Sequence, residues 1–201
     1  MNAGPFSERV YGDLRDLVTS RETQPGARLD PSVIAKQLNS STTPVREALN
    51  RLVGERIVET RTSTGYHLPL IDEPALKDLI GWSNDILSLA LRRITSSLAP
   101  AAELPGPSSN YPDRIAATFA AIVKASRHVE YIPAIAQANA RLHAVRLGEH
   151  ESFDDLDDEL SGLEKAIRND QVREVRKLVQ SYHRRRQKAA AELLRRRYRA
   201  G

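Results

Sequence analysis

No cysteine occurs among the 201 residues, which excludes a disulfide framework, a thiolate metal site and a cysteine nucleophile. No segment approaches the roughly 18 unbroken apolar residues that a membrane span needs. The opening MNAGPFSERVYGDLRDL has no basic stretch followed by an apolar one. A soluble, cytoplasmic protein with no membrane partner is expected. Also missing are a glycine-rich phosphate loop, a metal-ligand spacing and a Ser/His/Asp motif context, so the chain does not read as an enzyme.

What is present is 40% hydrophobic residues, enough for two small cores in a chain of this length. The net charge of +4 is unevenly placed. Lys and Arg against Asp and Glu number 9 against 8 over residues 1–70, 13 against 17 over 71–183, and 8 against 1 over 184–201. The excess lies at the end, where a basic stretch reads first as a solvated helix face favoured by the helix dipole. Bulk charge alone does not point to nucleic acid.

The pattern along the chain changes at residue 71. Phe6, Val10, Leu14, Leu17 and Val18 predict a helix over 6–21, broken by Gln24-Pro25-Gly26. Asp30-Pro31 starts a short second helix carrying Val33, Ile34 and Leu38, which ends at Asn39-Ser40-Ser41-Thr42. Thr43-Pro44 opens a third, with Thr43 as cap and Val45, Ala48, Leu49, Leu52 and Val53 as its buried face. Ile57–Arg61 and Tyr66–Leu70 then alternate with period two around the tip Thr62-Ser63-Thr64-Gly65, the mark of a β-hairpin. Beyond Ile71-Asp72-Glu73-Pro74 only helical patterns follow, over 73–98, 111–128, 131–150, 153–169 and 171–198, with a proline-rich loop from Ala99-Pro100 to Ser109. The expected class is mainly α: a winged helix-turn-helix of three helices and a hairpin (1–71), then an all-helical bundle (72–201).

If the apolar side of the third helix is buried, Thr43, Arg46, Glu47 and Asn50 fall on the opposite side. Arginine and asparagine one turn apart have the geometry to read guanine and adenine edges. A short helix and a polar turn before them is the arrangement in which a second helix enters the major groove. The hydroxyls of Ser40, Ser41, Thr42 and Thr43 suit phosphate oxygens. An ordinary cap and a solvated face would give the same pattern.

The motifs Val10-Tyr11 to Leu14-Arg15, Pro25-Gly26-Ala27-Arg28-Leu29, Ile34-Ala35-Lys36-Gln37-Leu38, TPVREALNRL (43–52) and Gly65-Tyr66 together resemble the GntR family of repressors. The resemblance implies that Arg46 and the start of its helix contact the operator, and that the wing at Thr64 and Gly65 approaches the minor groove. Most relatives carry arginine just before the Thr-Pro pair, where this chain has Thr42. Threonine cannot make the bidentate guanine contact worth about 1–3 kcal/mol of discrimination. Base reading then rests on Arg46 and Asn50, or the operator differs from the usual one.

The helical region resembles the FadR branch with its FCD-type ligand domain, through FAAIVKAS (119–126) and Ala166-Ile167-Arg168-Asn169-Asp170. That branch often holds a divalent metal with one Asp and three His. The corresponding places are Ala116, Ala120, Leu160 and Ser181, and the arginine often found on the domain's first helix is replaced by Ser83. No metal or other cofactor is expected. His128, His143, His150 and His183 are scattered over several helices, and His67 lies in the wing. Asn84, Asn139, Arg141 and His143 are the polar positions that could border an effector cavity. Trp82 and Tyr182 read as core or dimer packing. Asp154 to Glu159 reads as a charged helix start rather than a cation loop.

The function expected is a homodimeric regulator, a repressor first of all, binding double-stranded DNA under control of a small-molecule effector. Two alternatives remain: a helical ligand-binding protein whose head makes protein contacts, and an architectural regulator with no effector.

Overall fold

The computed structural model describes residues 5–20, 22–95, 97–98, 104 and 110–199. The chain divides into two compact units, Met1–Ile71 with Tyr198–Gly201, and Asp72–Arg197. The proline-rich segment expected as a loop over 99–109 falls almost wholly outside the described residues.

In the first unit α1 (Pro5–Thr19), α2 (Pro31–Gln37) and α3 (Thr42–Gly54) surround an apolar centre. α1 packs against α3, and Val10, Leu14 and Val18 of the one and Val45, Leu49 and Leu52 of the other are all buried. Asp30 caps α2, its carboxylate accepting from the Ser32 amide at 2.8 Å, and Pro31 follows where a missing N–H costs nothing. That hydrogen bond holds the exposed Asp30 carboxyl below its usual pKa. Val33, expected on the apolar stripe, is exposed.

The hairpin consists of β2 (Glu59–Arg61) and β3 (Gly65–His67), shorter than the alternation suggested. Ile57 and Val58 precede it as buried core residues. A third strand that periodicity missed, β1 (Arg28–Leu29), pairs antiparallel with β3, so the order is β1-β3-β2. Two residues are too few to show a period, and β1 exists only because β3 offers it a free edge.

The second unit holds α4 (Glu73–Arg93), α5 (Tyr111–Ala125), α6 (Tyr131–Arg146), a 3-10 turn (Glu149–Glu151), α7 (Leu156–Arg168) and α8 (Val172–Arg199). Asp72 and Asn110 cap α4 and α5 through their side chains. α4 stops at Arg93, five residues before the expected end, because Ile94 turns extended. α6 gives way at Leu147 to the 3-10 turn, and α7 begins at Leu156 rather than 153. Ile80, Ile86, Leu87, Phe119, Ile122, Ile135, Leu163 and Val179 form its core.

Candidate functional site

Between α2 and α3 the chain turns through Asn39, whose φ of 48° lies in the left-handed region that asparagine tolerates. The Ser40 amide donates to the Ala35 carbonyl at 2.9 Å and closes the turn. α3 then begins two residues earlier than a Thr43 cap would place it. Its cap is Ser41, not Thr43, in extended conformation and with no side-chain cap bond. Thr42 and Thr43 sit in the first turn, and Pro44 at the third position adds no unpaired N–H. Helical geometry leaves the amides of Thr42 and Thr43 without partners in their own helix, beside the hydroxyls of Ser41, Thr42 and Thr43. All three residues are exposed. This end of α3 therefore presents several hydrogen-bond donors and a positive dipole end to whatever approaches it, the combination that holds phosphate oxygens.

The burial of α3 follows the sequence reading. Val45, Ala48, Leu49 and Leu52 are buried, whereas Arg46, Glu47 and Asn50 are exposed. Arg46 makes no ion pair among the described residues and is free to extend. Asn50 is committed differently from the expectation: its side-chain carbonyl accepts from the Tyr66 hydroxyl at 2.7 Å. The sequence pattern places Tyr66 in the hairpin and gives no sign of this contact. At the wing tip Thr64 and Gly65 are exposed, and Ser63 and Gly65 take positive φ of 72° and 83°. Nothing lies within 4 Å of the Cβ that Gly65 lacks, so its backbone conformation, not space, calls for glycine there.

α1 is braced against α3 by polar contacts at the unit's surface. The Arg51 guanidinium stacks 3.7 Å from the Tyr11 ring centre and pairs with Glu8 at 3.1 Å. The Tyr11 hydroxyl donates to Glu55 at 2.8 Å, and partial burial together with that carboxylate pushes its pKa up to about 12. Each such exposed contact adds at most about 1 kcal/mol. Their value is in fixing the angle of α3.

The second unit encloses a polar interior that sequence reading missed almost entirely. Arg186 is 2% exposed and pairs with Glu149 at 2.9 Å and Glu159 at 2.6 Å, while donating to the Tyr111 hydroxyl at 2.8 Å. Arg114 pairs with Glu164 and Asp157, each at 3.1 Å. Arg185 pairs with Asp155 and Glu159. The acidic start of α7 thus neutralises arginines of α5 and α8 rather than being only a solvated helix end. Arg186 and Arg197 are buried too, so the basic end of the chain is partly core.

His183 sits beside these groups, buried between Val179 and Ser83. Its Nδ1 donates to the Val179 carbonyl at 2.7 Å, which leaves Nε2 to accept from the Ser83 hydroxyl at 3.1 Å. Burial lowers its pKa to about 3, so the ring is neutral. Both nitrogens being engaged, His183 has no lone pair to give a metal. Of the four places where a metal would be held, Ala116 and Ala120 are half-buried, Leu160 is buried and Ser181 is exposed. No cluster of three or more metal-ligating side chains is present among the described residues.

The effector candidates are dispersed. Asn139 is buried, its amide donating to the Ala116 carbonyl at 3.1 Å while its oxygen accepts from Arg146 at 3.0 Å. His143 lies 3.6 Å from Asp113, half-buried, and Arg141, two residues before it and so on another side of α6, is half-buried too. Asn84 is half-buried on α4 with its oxygen enclosed and unpartnered. Asn139 reaches the buried Arg146. Tyr182 is core as expected, but Trp82 is 47% exposed and is not.

The missed residues did leave a signal. Ile135, Ala138, Leu142 and Val145 form the apolar stripe of α6, and Arg146 continues that stripe at the next helical position. Arg186 does the same after Val179 and Tyr182 on α8. An arginine on an apolar stripe marks a buried cation.

Three helices with α3 exposed on its outer face, and a three-stranded wing, make up a winged helix-turn-helix, followed by a helical second unit. Residues 6–68 match the family described as bacterial regulatory proteins, gntR family. The chain is 32% identical over 85 residues to the HTH-type transcriptional regulator McbR of Escherichia coli (strain K12), covering 41% of this chain and 38% of that protein. It is 36% identical over 63 residues to the Nta operon transcriptional regulator of Aminobacter aminovorans, covering 31% and 30%. The matched segments thus span under half the length of these curated relatives. Over 94% of the chain the fold is similar to the solved structure of E. coli McbR/YncC, covering 99% of it, with a TM-score of 0.65 and 19% identity. It is also similar to a putative GntR transcriptional regulator from Rhodococcus sp. RHA1, covering 94% and 97%, with a TM-score of 0.67 and 18% identity. The mainly helical two-part architecture expected from the sequence is the observed one.

Proposed function

We propose that this protein acts as a homodimeric transcriptional repressor that binds a double-stranded operator and responds to a small molecule held in its helical unit. The observation that carries the DNA part is the exposed outer face of α3, where Arg46 is free beside the unpaired amides of the first turn. Two such heads would occupy half-sites about one helical turn apart. Pairing of two copies is supported by α4, on which Trp82 and Leu89, seven residues apart, are exposed apolar side chains on one face. The helical unit belongs by this reading to the FCD type but works without its metal: the aligned positions offer no imidazole or carboxylate, and His183 is taken up by Val179 and Ser83. The protein has no catalytic role in this account, and no helix among the described residues is long and apolar enough to cross a membrane.

Selection of genomic fragments on the purified protein, followed by gel-shift titration at fixed salt, tests it. A short enriched inverted repeat bound by two copies is expected. Uniform weak binding to all fragments would overturn the operator reading.

A further inference from the structure

α8 carries two interleaved basic series. Arg173, Arg184 and Arg195 are eleven residues apart, as are Lys177 and Lys188, and all five are exposed. Eleven residues make three helical turns with about 20° to spare, so the five side chains leave α8 within an arc of about 60° and along about 33 Å of its length. The two carboxylates of α8, Glu174 and Glu192, both fall outside that arc. Lys177 pairs with Glu174 at 3.4 Å, whereas Arg173, Arg184, Lys188 and Arg195 make no ion pair among the described residues.

Arginines elsewhere on α8 are held by the fold. Arg176 donates to the Leu91 carbonyl at 3.4 Å, Arg185 pairs with Asp155 and Glu159, Arg186 with Glu149 and Glu159, and Arg196 with Glu192 at 2.9 Å and Glu151 at 3.4 Å. The helix dipole does not account for the stripe, because it favours cations in the last turn only, and Arg173 and Lys177 lie in the first two turns, at the positive end. Arg173 with Lys177, and Arg184 with Lys188, are like charges four residues apart, a spacing that disfavours a helix.

A straight row of unneutralised cations is complementary in charge to a polyanion. A DNA duplex about 33 Å long carries on the order of twenty phosphates. Gln180 and Ser181, exposed in the gap between Lys177 and Arg184, are side chains of the kind that donate to phosphate oxygens. An anionic membrane or an acidic protein fits less well. No large apolar side chain is exposed on α8 between Arg173 and Arg195, so this face has neither the wedge that a surface-lying helix sinks among lipids nor the anchors on which protein interfaces depend.

We propose that the outer face of α8 is a second, sequence-independent binding surface for duplex DNA, on which Arg173, Lys177, Arg184, Lys188 and Arg195 hold backbone phosphates. The operator reading assigns DNA to α3 and the wing alone, and this surface goes beyond it.

The full chain is compared with a stripe variant (Arg184→Gln, Lys188→Gln, Arg195→Gln) and with a control carrying the same charge change on other exposed residues of the helical unit (Arg93→Gln, Lys124→Gln, Lys165→Gln). Each is titrated with a scrambled duplex over a range of salt. The stripe variant is expected to bind about 10-fold or more weakly at low salt, and its plot of log affinity against log salt should be shallower by about 2 to 3, one phosphate contact for each charge removed. The single variants Arg184→Gln and Arg195→Gln should each take about 1 from that slope. The control should keep the wild-type slope. Tm of the stripe variant should equal or exceed that of the wild type, because a like-charge pair has gone. An unchanged slope, or the same loss in the control, overturns the surface. So does a stripe variant that keeps duplex binding but no longer sediments with phosphatidylglycerol vesicles, which would assign the face to a membrane. Since the duplex is scrambled, a failure of operator recognition leaves the result standing: in an Arg46→Ala background the loss of slope should persist.

Discussion

The Tyr66 hydroxyl of the wing donates to the side-chain carbonyl of Asn50 on α3 at 2.7 Å, tying the wing and α3 together. The position of Asn50 therefore depends on β3, and its amide group points its N–H donors away from that bond's acceptor. Removing the bond with Tyr66→Phe should leave the helical spectrum unchanged and weaken operator binding by about 0.5–1.5 kcal/mol, the net worth of one hydrogen bond. In a double-mutant cycle with Asn50→Ala the losses should not add. Additive losses in gel-shift titrations would show that the two residues act independently.

Arg46 stands apart from this network. Arg46→Ala should cost about 1–3 kcal/mol of discrimination between the selected operator and a scrambled duplex, with an unchanged fold. Equal discrimination by mutant and wild type in competition binding would sink its role as a base reader.

In the helical unit, Glu164 is the buried partner of Arg114, their side chains 6% and 10% exposed. Glu164→Ala strands a buried guanidinium, with exposed Asp157 as its remaining partner. A loss of about 3–5 kcal/mol is expected, enough to lower the midpoint of thermal unfolding by roughly 10 °C or more. A drop of only a degree or two would mean that water or Asp157 compensates.

His183 gives stability a defined pH dependence. Its folded pKa of about 3 lies below the unfolded value near 6.5 because burial disfavours the imidazolium. Between those values the unfolded chain binds a proton that the folded chain refuses. The contribution is therefore complete above about pH 6.5 and is lost as pH falls toward 3. Denaturant unfolding at pH 7.5 and 5.0 should show lower stability at 5.0, with a smaller difference in His183→Gln. The His183 ring resonances should not titrate between pH 8 and 5; a midpoint near 6 would falsify the assignment.

Trp82 is the single tryptophan, so its fluorescence reports on α4 alone. If two copies pair through this face, emission should be blue-shifted at high protein concentration and move to the red on dilution. Trp82→Asp should give a monomer in sedimentation experiments. A red-shifted emission at every concentration would place the dimer contact elsewhere.

How far the chain could be read without coordinates differs between its halves. α3 was legible because five apolar residues recur with helical period on a helix that is buried on one side, and such a pattern names the outer residues by elimination. The start of α3 was misplaced by a cap, since Ser41, Thr42 and Thr43 are all good caps and only the turn through Asn39 selects among them. β1 was illegible, being a strand by virtue of its neighbour.

The sequence by itself determined the division at residue 71, the order of the helices and the exposure of Arg46, because all of these follow from local periodicity and turn chemistry. The tertiary structure alone decided which charges are buried and with whom. Arg114 meets Glu164 from 50 residues away and Arg186 meets Glu149 from 37, and Arg146 meets no carboxylate among the described residues. Long polar side chains are assigned their partners by the packing of distant helices, and no pattern along one helix contains that information.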